Sequence, residues 1–150
     1  MLQQTNPTYE SMQMKIFMEL DESKAREKTV MYSTSLPKGL KEALHKASGA
    51  LHRKKADWIR TALDLFFYQK EKDQELQILK SYKEMGLSQL RPFTTTLTEG
   101  QLRRLTNLSK SLKRSKAEIL RTAIFLFLNC SAEKQEIEIK KYLTRRGHDF

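Results

Sequence analysis

Cysteine is almost missing from this chain: Cys130 is the only one in 150 residues. A single thiol excludes an internal disulfide framework and fits a reducing cytoplasm. Long apolar runs are missing too. The longest, Ala123 to Leu128, has six residues, far short of the roughly 18 to 20 that a membrane span needs. The N-terminus lacks the basic-then-apolar layout of a secretory signal. A cytoplasmic protein with no membrane association is expected. Histidine is scarce, three in all; His45 and His52 are seven apart, but no clustered ligand set accompanies them, so neither metal nor cofactor is expected. With five glycines there is no glycine-rich phosphate loop, and no nucleophile–base or paired-acid motif is present. The chain does not read as an enzyme.

Acidic residues are also in deficit, 18 against 28 basic, for a net charge of +10. The location of the excess matters more than its size. Residues 1–28 and 70–90 are near neutral, as are residues 129–150. Residues 29–69 carry seven basic and three acidic side chains, and residues 91–128 carry eight and two. A basic excess confined to folded segments points to a polyanion surface, most often nucleic acid.

Those two basic segments are versions of one another. Arg53-Lys54-Lys55-Ala56-Asp57-Trp58-Ile59-Arg60-Thr61-Ala62 returns 61 residues later as Arg114-Ser115-Lys116-Ala117-Glu118-Ile119-Leu120-Arg121-Thr122-Ala123. Between Tyr32–Phe67 and Phe93–Leu128, 14 of 36 positions are identical without a gap. Repetition at a fixed offset is the mark of an internal duplication. Within each copy, alternation comes first: Tyr32, Thr34 and Leu36 against Ser33 and Ser35, then Phe93, Thr95 and Leu97 against Thr94 and Thr96, which predicts strands. Leu40, Leu44, Ala47 and Leu51, and Leu102, Leu105, Leu108 and Leu112, recur at helical spacing. Pro37 suits a helix start, and Thr98 is placed as a cap. Ser115 with Glu118 forms a capping box for the next helix, whose apolar faces are Trp58 to Phe66 and Ile119 to Leu128.

A strand and two short helices cannot bury their own apolar faces. Two copies solve this if their strands pair antiparallel over the helices. The expected fold is mostly α with one short two-stranded antiparallel ribbon. Its organisation is an N-terminal arm (1–28), a first strand–helix–helix unit (29–69), a helical connector (70–90), a second unit (91–129), and a C-terminal helix with a basic tail (130–150), residues 29–129 folding as one domain. Within the arm, Met12, Met14, Ile16, Met18 and Leu20 alternate with Gln13, Lys15, Phe17 and Glu19, a period-2 pattern that Phe17 weakens. Gly86 is placed to stop the connector helix. Ser131 is placed to cap the last helix, which carries Ile137, Ile139, Tyr142 and Leu143. Trp58 is expected in the core. Arg60 and Arg121 lie inside the second helices, where an ion pair or an intermolecular contact is expected.

Each unit resembles a ribbon-helix-helix DNA-binding unit of the Arc and methionine repressor class. The residues carrying the likeness are Ser33-Thr34-Ser35-Leu36-Pro37 with Arg53 to Arg60, and Thr94-Thr95-Thr96-Leu97-Thr98 with Arg114 to Arg121. The resemblance covers about half the chain, and two units in one polypeptide imply a tandem ribbon-helix-helix pseudo-dimer. It implies that the ribbon enters the major groove of double-stranded DNA, with Ser33, Ser35, Thr94 and Thr96 facing base edges. It also implies that the second-helix starts grip phosphates: Arg53, Lys54, Lys55 and Ala56 in one unit, Arg114, Ser115, Lys116 and Ala117 in the other. The expected role is a transcriptional regulator such as a repressor, with several molecules on adjacent sites. Alternatives are an accessory protein of plasmid transfer, partition or replication, and an antitoxin-like module whose flanking arms bind a protein. The sequence names no protein partner.

Overall fold

Two alternating segments supply the sheet. The computed structural model describes residues 28–85 and 88–146. In it β1 (Thr29–Pro37) pairs antiparallel with β2 (Leu90–Thr98) as a two-stranded sheet. One face of the ribbon is buried: Leu36 and Leu97 are fully covered, Phe93 and Thr95 nearly so, and Tyr32 and Thr34 half-covered. The opposite face carries exposed Met31, Ser33, Pro92 and Thr94 and half-buried Ser35 and Thr96. The alternation of residue types is thus an alternation of faces, as the pleat requires. Ser33 lies opposite Thr94, its own counterpart at the offset of 61, and the pairs Thr34–Phe93 and Tyr32–Thr95 flank it reciprocally.

Helices follow each strand in the same order. After β1 come α1 (Lys38–Ala50), α2 (Lys55–Phe67) and α3 (Glu71–Met85); after β2 come α4 (Glu99–Leu112), α5 (Lys116–Leu128) and α6 (Ala132–Arg145). Caps explain where several begin. The Thr98 hydroxyl accepts from the Gln101 backbone N–H at 3.0 Å, and the Gln101 side chain accepts from the Thr98 N–H at 3.3 Å. Ser115 and Glu118 form the same reciprocal pair at the head of α5, at 3.1 Å each way. The hydroxyl of Ser131 accepts from the Lys134 N–H at 3.1 Å before α6. Pro37 and Lys54 head α1 and α2 with no side-chain cap. The connector forms a helix of its own, α3, separated from α2 by residues 68–70.

The repetition also runs further than the strand and two helices. α3 and α6 start 61 residues apart, at Glu71 and Ala132. Gln74 and Gln135 occupy matching places and do matching work: each side-chain amide donates to a carbonyl ending the preceding helix, Phe66 at 2.8 Å and Phe127 at 3.1 Å.

The core lies between the ribbon and α2 and α5. Trp58, Ile59, Leu63, Phe66, Ile119, Leu120, Ile124 and Phe127 are buried there with Leu36, Leu44, Leu97 and Leu105. Trp58 and Phe127 meet with ring centroids 4.7 Å apart, tilted by 54°. Burying such side chains contributes about 1.5–3 kcal/mol each, which lets a ribbon that is marginal alone stand on a helical base. Residues 29–139 make up one compact unit, and the described residues 28 and 140–146 belong to a second. Within the second, the Arg146 guanidinium sits 5.7 Å from the Tyr142 ring centroid. The alternating stretch Met12 to Leu20 and Gly86 lie outside the described residues. No helix among the described residues is long and apolar enough to cross a membrane.

Candidate nucleic-acid interface

The outer face of the ribbon is built from short hydroxyl side chains because the pleat points every second residue away from the core. Ser33 Oγ and Thr94 Oγ1 lie 3.0 Å apart at its centre, both exposed. Met31 is 76% exposed on the same face. Lys41 reaches from α1 to the Pro92 carbonyl at 3.1 Å, placing a cation beside one end of the face. On the inner face, burial pushes the Tyr32 phenol above its ordinary value.

Ser35 and Thr96 are held in a way the sequence did not signal. Arg121, from α5, donates through Nε to the Ser35 carbonyl at 3.0 Å and through Nη2 to the Ser35 hydroxyl at 2.9 Å. Arg60, from α2, makes the reciprocal pair, Nε to the Thr96 carbonyl at 3.1 Å and Nη2 to the Thr96 hydroxyl. Each arginine thereby reaches the strand of the other copy. Arg60 is also ion-paired with Asp57 at 3.1 Å. Of the two contacts expected for these arginines, the ion pair is found for Arg60, and the ribbon contacts are within the chain.

The second-helix starts are equivalent in backbone and unequal in side chains. In α2 the first ladder bond runs from the Trp58 N–H to the Lys54 carbonyl at 3.1 Å; in α5 it runs from Ile119 to Ser115 at 3.2 Å. The amides of Lys55 and Ala56, and of Lys116 and Ala117, thus precede the helical ladder, at the positive end of the helix dipole. Lys54 and Lys55 are exposed and Lys116 is half-exposed. Arg53 is different: its Nε donates to Glu136 Oε1 at 3.0 Å, and that hydrogen bond raises its pKa further. Arg114 Nη1 lies 3.7 Å from Glu118 Oε2. Both arginines therefore carry carboxylate neighbours, and the lysines form the open positive charge at these starts.

The turns before α2 and α5 show why the two starts match. His52 and Lys113 both take a left-handed φ of 56°, and the chain reverses there without glycine. No protein-family model, curated protein or solved structure matches this chain.

Proposed function

We propose that the chain is a ribbon-helix-helix protein in which both halves of a two-fold DNA-binding device lie in one polypeptide, and that it acts as a regulator of transcription. The β1–β2 ribbon enters the major groove of duplex DNA, and the starts of α2 and α5 take the flanking phosphates. The observation that carries this reading is the ribbon register. Ser33 faces its own repeat counterpart Thr94, the arrangement expected of an isologous two-fold contact, so the exposed hydroxyl face is centred between two like helix starts. A two-stranded ribbon fits the major groove in width, and hydroxyls both donate to and accept from base edges. The basic excess of residues 29–69 and 91–128 lies in the segments that form this surface. Binding of several molecules side by side suits a ribbon that reads only a few base pairs.

Salt titration tests the electrostatic half of the reading. With Lys54, Lys55 and Lys116 each displacing a counterion, log affinity for duplex DNA should fall against log salt with a slope of about −3, and Lys55→Ala with Lys116→Ala should flatten it by about 2. A slope near zero for the wild-type chain would remove the helix starts from the interface.

A further inference from the structure

Arginine and lysine are absent from the outer ribbon positions between Tyr32 and Leu36 and between Phe93 and Leu97. Discrimination there must come from hydroxyls, and a free hydroxyl is a poor discriminator because it rotates and serves as donor or acceptor alike. Two of these hydroxyls are not free. Ser35 Oγ accepts from Arg121 Nη2 at 2.9 Å, and Thr96 Oγ1 accepts from Arg60 Nη2. The same guanidiniums hold the backbone carbonyls of Ser35 and Thr96 at 3.0 and 3.1 Å, so the geometry is bidentate on a single residue in both cases. Both arginines are well covered, Arg121 at 8% exposure and the Arg60 side chain at 13%. Neither hydroxyl donates to another group among the described residues, and each keeps a half-open position on the outer face.

Three physical consequences follow. A hydroxyl oxygen that accepts from a cation is polarised into a stronger donor. Its remaining lone pair sits beside a positive charge and is a weaker acceptor. The arginine fixes which lone pair is used, so the proton is aimed away from the core. We propose that Arg60 and Arg121 are positioning residues that convert Thr96 and Ser35 into donor-only probes, and that these probes select guanine through its N7 and O6 acceptors. Cytosine N4 and adenine N6 present donors and are disfavoured, while adenine N7 and thymine O4 each offer a donor probe one acceptor against the two of guanine. This rests on the ribbon-in-groove reading above. Thr96 faces Met31, four residues from Ser35 along β1, so the two probes stand about 13 Å apart, or about four base-pair steps.

The full chain and a random-sequence duplex pool provide the test. Retained duplexes are resynthesised with 7-deazaguanine, which lacks N7, or 2-aminopurine, which lacks O6, at each guanine in turn. Wild-type affinity should fall roughly fivefold for one or other analogue at two guanines about four steps apart. Ser35→Ala and Arg121→Lys should each abolish the sensitivity at one of them, and Thr96→Ala and Arg60→Lys at the other. The two alanine variants leave each arginine its carbonyl partner, so they test the hydroxyl contact with guanine even if the lysine variants fold poorly, and the lysine variants test the arginines' part in it. Analogue sensitivity that is absent in the wild type, or unchanged in both alanine variants, overturns the donor-probe proposal and leaves ribbon insertion standing. Retention of no duplex at all by the wild-type chain overturns ribbon insertion, and the proposal falls with it.

Discussion

Single residues carry both the strain and the asymmetry of this molecule. Lys113 and His52 hold φ at 56°, a region that costs a side-chain-bearing residue about 1–2 kcal/mol. Glycine avoids that cost but adds freedom to the unfolded chain. Lys113→Gly is therefore expected to stabilise the fold by about 0.5–1 kcal/mol, measured as a higher urea midpoint with an unchanged slope. A lower midpoint would mean that the lysine side chain makes a contact worth more than the strain. Local chemistry of this kind was legible in the sequence where donor and acceptor are neighbours: Thr98, Ser115 and Ser131 all cap the helices expected of them. Arg53 was legible only as a cation. Its partner Glu136 stands 83 residues away, a separation at which no spacing rule operates. Arg60 and Arg121 were likewise visible as repeated arginines, while their reach to the opposite strand depends on how the copies cross.

At the scale of elements, the third helix of each repeat shows what duplication preserved and what it let drift. Only Gln74/Gln135, Glu75/Glu136, Ile78/Ile139 and Lys80/Lys141 are identical between α3 and α6, too thin a trace to read as a repeat before both helices were placed. The matched glutamines have diverged in their second bond. Gln135 Oε1 accepts from the Trp58 indole N–H at 3.0 Å. Trp58 corresponds to Ile119 in the other copy, which has no donor to offer, and Gln74 Oε1 is buried with no hydrogen-bond partner. Gln135→Leu would strand the indole N–H and the carbonyl of Cys130, while the Phe127 carbonyl keeps its bond from the Cys130 N–H. Gln74→Leu would leave the Phe66 carbonyl its bond from the Gln69 N–H and remove an unsatisfied oxygen. Chemical denaturation should therefore show Gln135→Leu to be the more damaging by about 1–3 kcal/mol; equal losses would show that the indole bond contributes nothing. A parallel divergence opens a cleft. Arg104 stacks its guanidinium 4.7 Å from the Phe67 ring centroid, whereas its counterpart Ala43 lines a space of about 530 Å³ beside Leu128 and Asn129.

Across the whole molecule, the ribbon is a short, marginal element made firm by what lies beneath it. Its inner face was readable from the alternation of Leu36 and Leu97 with hydroxyl residues. Its outer face was readable as a surface, and the difference between the open centre, Ser33 and Thr94, and the arginine-held flanks, Ser35 and Thr96, was not. That difference matters for how the account is tested. A substitution at Ser35 or Thr96 disturbs the arginine contacts as well as the surface, while Thr94 is exposed and its hydroxyl, among the described residues, bonds across the ribbon to Ser33. The most direct measurement is the affinity of the full chain for duplex DNA with Thr94→Glu, beside the control Asn107→Glu on the exposed side of α4. A carboxylate at the centre of a ribbon seated in the groove meets phosphate and base acceptors at close range, where like-charge juxtaposition costs several kcal/mol. Thr94→Glu should bind at least about a hundredfold more weakly than the wild type, with the control within about threefold. Equal losses in the two variants, or full affinity in Thr94→Glu, would contradict a ribbon in the groove.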